Sequence, residues 1–131
     1  MKSEILQLLN DYQVDLNLKD TNTYFEKLQK LARIITFYDQ RLKGFIAYYC
    51  NDEKKDLAFI SMIIVDRNSI GQKIGRTLLN SALSNMSYSG FLKCRLEVLA
   101  HNINAIGFYE KQGFQKIEIE GEVLVMEKLL N

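Results

Sequence analysis

The stretch VDRNSIGQKIGRTLL, residues 65–79, decides how this chain folds. An apolar run, MIIV, ends at Val65, and a helical apolar stripe starts at Ile74 and continues through Leu78, Leu79, Ala82, Leu83 and Met86. Between them stand Gly71 and Gly75, which mark a backbone that must turn tightly or come close to something. The segment reads as strand, glycine turn, helix, and the strand-like run FLKCRLEVLA, residues 91–100, follows it. A helical crossover between two strands of one sheet makes them parallel.

Working outward, the runs RIITFYD (33–39), LKGFIAYYC (42–50) and DLAFISMIIVD (56–66) are rich in β-branched and aromatic residues. The separators QR and NDEKK suit hairpin turns, with Asn51 and Asp52 as turn residues, so the three runs form an antiparallel meander. Downstream, NAIGFYEKQ (104–112) is a short helix ended by Gly113, and FQKIEIEGEVLVMEKLL (114–130) holds two strands hinged at Gly121. Upstream, KSEILQLLND (2–11) and TNTYFEKLQKLA (21–32) carry helical apolar spacing, the second with Thr21 or Asn22 as N-cap. The piece between them, YQVDLNLKD (12–20), reads as a loop or a short extended segment. The expected fold is α/β: a mixed, mostly antiparallel sheet with one parallel pair and about four helices, in a single domain over residues 1–131.

Composition supports one domain, with 47% hydrophobic and 25% charged residues among 131. The net charge of +1, from 17 basic and 16 acidic side chains, gives no overall field to draw nucleic acid or an anionic membrane. Any anion site must be local. The apolar run of the opening MKSEILQLLNDYQ is short and broken by Glu4 and Gln7, which suits neither a signal peptide nor a spanning segment. A cytoplasmic protein is expected. Cys50 and Cys94 lie far apart and lack neighbours at metal-ligand spacing, so they read as buried reduced thiols, and no metal site is expected.

The glycine turn fits neither ordinary phosphate motif. Gly71 to Gly75 is one residue short of a Walker A loop, and a dinucleotide fingerprint needs a third glycine. What remains is general: amides from Gly71 to Arg76 point outward at a helix N-terminus, where the dipole favours an anion, and Lys73 and Arg76 add charge. The competing reading is a plain strand-to-helix turn with solvated basic residues. In the second informative stretch, EVLAHNINAIGFYEKQGF (97–114), a strand ends in polar residues and leads into a short helix carrying Tyr109 four residues before Gly113. His101, the only histidine, reads as a solvent-facing loop residue.

With both stretches in view, the chain resembles the GNAT superfamily of N-acetyltransferases. The family's later motif, Asn-x-x-Ala-x-x-x-Tyr-x-x-x-Gly-Phe, matches at Asn102, Ala105, Tyr109, Gly113 and Phe114. Its earlier motif, Arg or Gln, then x-x-Gly-x-Gly, aligns with Gly75 last. That alignment puts Ile70 at the Arg or Gln position and Lys73 at the first glycine, while Arg67 stands where proline is frequent. The agreement in order and spacing runs from about Thr21 to the C-terminus. The family's usual first strand is not found, because the chain starts directly on a helix.

The resemblance implies a sheet splayed at its parallel pair, and transfer of acetyl from acetyl-CoA to a primary amine of a small molecule. The backbone around Ile63, Ile64 and Val65 would pair with the pantetheine arm as an added strand and offer an N–H to the thioester oxygen. Ile70, Gly71, Gln72, Lys73, Ile74, Gly75 and Arg76 would hold the pyrophosphate. Asn102 would hydrogen-bond the arm beside Ala105 and Phe108, and Tyr109 would be the acid for the CoA sulfur. Glu97 is a candidate base, with water as the alternative and an ion pair as its competing role. Tyr24, Phe25 and Lys27 either line an acceptor pocket or form a core stripe with one solvated lysine. The central hairpin resembles members that acetylate amino sugars in bacterial polysaccharide pathways. The rival of another class is a non-catalytic acyl-CoA-binding or interaction module; a nucleotide-phosphate domain is a third. The tail GEVLVMEKLLN suits either an edge strand pairing across a homodimer or a strand completing the monomer's sheet.

Overall fold

A computed structural model describes residues 2–12 and 20–130. Its elements run α1 (Lys2–Asp11), α2 (Thr21–Leu31), β1 (Arg33–Asp39), β2 (Arg41–Tyr49), β3 (Leu57–Val65), α3 (Ile74–Tyr88), β4 (Lys93–Leu99), α4 (Ile103–Lys111), β5 (Gln115–Glu120) and β6 (Val123–Leu129). A 3-10 turn at Arg67–Ser69 lies between β3 and α3. The six strands form one sheet in the order β1-β2-β3-β4-β6-β5, antiparallel throughout except for the parallel pair β3 and β4. This is the mixed sheet expected from the strand, turn, helix, strand reading, and among the described residues no strand precedes α1.

The sheet separates two cores. On one face α3 and α4 pack Ile74, Leu78, Leu79, Met86 and Ile106 against Ile60, Cys94, Leu96 and Met126. On the other, α1 and α2 pack Ile5, Leu9, Phe25 and Leu28 against Leu42, Phe45, Met62 and Ile64. Gly44 on β2 allows the layers to close: a Cβ there would stand 2.8 Å from the Ile64 carbonyl oxygen and 3.2 Å from Ile74 Cγ2.

One local expectation changes. The N-cap of α2 is Asp20, whose carboxylate accepts from the amides of Asn22 (3.0 Å) and Thr23 (3.2 Å), rather than Thr21 or Asn22. An ionised carboxylate is the stronger acceptor for those amides. The tail strand β6 lies inside the sheet between β4 and β5, the second of the two readings of the tail, and the edge strand on that side is β5. That edge carries Lys116, Glu118 and Glu120 and a bulge at Ile117, devices that blunt strand-to-strand association. The loop expected over residues 12–20 lies, apart from its two ends, outside the described residues. No helix among the described residues is long and apolar enough to cross a membrane.

Candidate active site

The site begins with a bulge. β2 and β3 run in register from Gly44 opposite Val65 to Ala47 opposite Met62, then shift so that Tyr48 opposes Ile60, leaving Ser61 extra. A bulge reverses which face the following side chains take. Ala58 and Ile60 belong to the α3–α4 core, Met62 and Ile64 to the α1–α2 core, and Ile63 and Val65 turn back toward α3 and α4. At the same place β4 departs. Its pairing with β3 covers Leu57 to Ile60 against Lys93 to Leu96 and stops, although both strands continue.

The departing half of β3 keeps β2 as its neighbour on one edge. The Asp66 amide donates to the Lys43 carbonyl at 2.7 Å, and backbone groups of an antiparallel pair alternate between facing the partner and facing away. The N–H and C=O groups of Ile63 and Val65 therefore face the opening left by β4. Those of Ile64 face β2, and its side chain lies in the α1–α2 core. One of the outward groups is engaged: the Tyr12 hydroxyl, from the end of α1, donates to the Val65 carbonyl at 2.5 Å. The Arg67 guanidinium stands over the Tyr12 ring, 4.4 Å from its centroid.

Beyond Val65 the chain winds through the glycine turn into α3. Gly71 has φ +98° and Lys73, the residue that caps α3, has φ +60° without a side-chain capping bond. The amides of the first helical turn are thus left uncapped by that side chain, the condition under which a helix N-terminus receives an anion. A cavity of about 410 Å³ opens there, lined by Ser69, Ile70, Gly71, Lys73, Ile74, Gly75, Arg76 and, from α4, Lys111 and Gln112. Ser69 is 1% exposed and its hydroxyl has no hydrogen-bond partner among the described residues. A second cavity of about 390 Å³ is lined by Tyr12, Ile63, Asn104, Ala105 and Tyr109. Val65, Ile70, Gly75 and Phe108 line both. Gly75 lies where the two cavities meet, and a Cβ on it would be in ordinary contact with Val65 at 3.7 Å and Phe108 at 3.8 Å.

Tyr109 stands at the wall of the second cavity, edge-on to Phe108 (5.3 Å between ring centres) and Phe114 (5.7 Å). Burial pushes its phenol up to about 12, with the Cys94 thiol beneath it adding to the rise. Its hydroxyl has no hydrogen-bond partner among the described residues.

Most of the residues picked out in the sequence therefore surround one connected space. Of the residues assigned to catalysis or the cofactor four stand elsewhere, and of the possible acceptor-pocket residues Phe25 and Tyr24 belong to the α1–α2 core and Lys27 is exposed. Ile64 faces the opposite core, and Gln72 is exposed on the turn outside both linings. Asn102 caps α4, accepting from the Ala105 amide at 3.2 Å, and Asn104 is the asparagine that lines the cavity. Glu97 is exposed on β4 opposite Val125, and among the described residues no carboxylate or imidazole lines either cavity. Sequence reasoning missed Tyr12, Ser69, Asn104, Lys111 and Gln112. Of these only Asn104 and Lys111 had a signal, their spacing on the α4 stripe beside Tyr109.

Residues 2–114 match the model of the acetyltransferase (GNAT) family. The chain belongs to that family. Among curated GNAT relatives, the spermidine N(1)-acetyltransferase of Thermoplasma acidophilum is 35% identical over 92 residues, covering 70% of this chain and 55% of that protein. The chain spans between 35% and 67% of the length of the first three such relatives. Its fold matches the crystal structure of an aminoglycoside 6'-acetyltransferase type Ii with a TM-score of 0.85 at 17% identity, over 98% of this chain and 88% of that one. The PaiA N-acetyltransferase of Thermoplasma acidophilum, solved in complex with coenzyme A, matches with a TM-score of 0.78 at 23% identity, over 98% and 92%.

Proposed function

We propose that this GNAT domain transfers acetyl from acetyl-CoA to a primary amine of a small molecule, and that the acceptor is a polyamine-like oligocation rather than an amino sugar. The carrying observation is the connected space that joins the uncapped N-terminus of α3 to the opened edge of β3 and the Tyr109 hydroxyl. The α3 amides, Ser69, Lys73, Arg76 and Lys111 suit the phosphates, and the passage at Gly75 leads the pantetheine arm to the edge groups of Ile63 and Val65.

In the reaction a neutral amine nitrogen attacks the thioester carbonyl, its oxygen takes up negative charge, and the C–S bond breaks as the tetrahedral intermediate collapses. The Ile63 N–H faces the place where that oxygen develops and supplies the donor. The sulfur leaves with the bonding pair, and Tyr109 is protonated at neutral pH and able to donate to it. Because a free thiol ionises near about 8.5, the phenol stabilises the thiolate by hydrogen bonding more than by full loss of its proton. The proton lost by the amine passes to water, in keeping with cavities that no carboxylate lines among the described residues.

Two observations support an oligocation. The spermidine N(1)-acetyltransferase named above and a probable spermine N(1)-acetyltransferase of Bacillus subtilis subsp. natto point toward polyamines. The strand registers also put Glu97 and Glu118 on one face across Val125, with Glu120 in the next row across Val123, all three exposed on the β4–β6–β5 half of the sheet. The test is calorimetric titration with acetyl-CoA, CoA and ATP, then CoA-release assays with spermidine, spermine and glucosamine. Binding selective for CoA compounds and turnover on the polyamines is expected. Binding without turnover on any amine would favour the non-catalytic module, and turnover on glucosamine alone would return the acceptor to the amino sugars.

A further inference from the structure

Once β4 has departed, residues 61–65 of β3 are a strand with one neighbour. Such a segment loosens more easily than one paired on both edges. Yet this is where the reading above requires a backbone N–H to keep its aim, since misplacement by about 1 Å costs a large factor in rate. Two tyrosines from the helical layer reach it. The Tyr24 hydroxyl, from the first turn of α2, shares a hydrogen bond of 2.5 Å with the hydroxyl of Ser61, the bulge residue. The Tyr12 hydroxyl, from the end of α1, donates to the Val65 carbonyl, also at 2.5 Å. One bond holds each end of the segment. Phe25, next to Tyr24, is buried in the α1–α2 core, and Arg67 stacks on Tyr12, so neither tyrosine is an idle surface side chain.

We propose that Tyr12 and Tyr24 are positioning residues, which clamp the free half of β3 from the α1–α2 side and so fix the direction of the Ile63 N–H. They act through Val65 and Ser61. The inference rests on the acetyltransferase reading for its catalytic consequence, but the clamp itself is measurable without any substrate.

Tyr12→Phe and Tyr24→Phe keep both rings and remove one hydroxyl each, and Ser61→Ala removes the partner of Tyr24 from the other side. In the free protein, amide hydrogen exchange at Ile64 and Asp66, whose N–H groups face β2, should speed up by about tenfold in each variant. The amides of β4 and β6 should stay as slow as in the wild type. The Tyr24→Phe/Ser61→Ala double variant should lose no more than either single variant, because both remove the same bond. With acetyl-CoA and spermidine, kcat should fall by about tenfold, more than the affinity for acetyl-CoA does. Unchanged exchange at Ile64 and Asp66, additive losses in the double variant, or faster exchange with a wild-type kcat would each overturn the proposal. If the wild type acetylates no amine, the acetyltransferase reading falls, and exchange alone decides the clamp.

Discussion

Lys73 adopts φ +60° where the family's pattern carries a glycine, so the chain keeps the backbone of the motif with a residue that resists it. A side chain in that conformation costs about 1–2 kcal/mol, and glycine gives back about 0.5–1 of this through its freer unfolded chain. Lys73→Gly should therefore stabilise the protein by about 0.5–1 kcal/mol in urea denaturation. Lys73→Ala keeps the conformation and removes the charge, so its stability should stay near wild type while acetyl-CoA affinity falls severalfold at low salt. A glycine variant that binds as well as wild type would show that the charge contributes nothing to affinity. Tyr109→Phe should lower kcat by about a hundredfold with little change in Kd for acetyl-CoA, as measured by stopped assays and calorimetry. The place of Tyr109 on α4, at the wall of the second cavity, was legible from its spacing to Asn102 and Gly113. The conformation of Lys73 was not, because nothing in a residue's neighbours along the chain reports the sign of its φ.

At the scale of elements, the bulge at Ser61 and Gly44 on the neighbouring strand work together. The bulge turns Ile63 and Val65 toward the cavities, and Gly44 lets β2, the end of β3 and the start of α3 meet. Gly44→Ala sets a Cβ against the Ile64 carbonyl and Ile74, and the strain of overpacking should cost about 1–3 kcal/mol. Because the displaced atoms belong to β3 and α3, acetyl-CoA binding should weaken as well, which calorimetry on the folded variant would read. Every strand and helix was legible from its apolar period and its turn residues. The bulge was hidden because β3 is buried alternately along its whole length, and the alternation continues while the core it faces changes. Asn102 and Glu97 were picked for residue type and spacing. Capping of α4 uses one, and the pleat of β4 turns the other away from the cavities, facts that pairing decides and spacing does not.

At the scale of the molecule, two buried acids tie stability to alkaline pH. Burial raises Tyr109 from 10.0 to about 12 and Cys94 from 9.0 to about 12. The folded state therefore holds both protons more tightly than the unfolded chain does. Their contribution is intact below the unfolded values, begins to fall near 9 for Cys94 and near 10 for Tyr109, and is lost as pH rises to about 12. Circular dichroism should show denaturation setting in across that window, and Tyr109→Phe, which lacks one of the two protons, should move the onset upward. The splayed sheet has a further consequence. Its two halves are like the covers of a book bound along a short spine, the four pairs from Leu57 to Ile60 with Lys93 to Leu96. A ligand arm lying between the covers would be in contact with both. The spent coenzyme would then depart more slowly than the chemistry proceeds, and rapid-quench experiments should find a burst of acetylated amine before the steady rate.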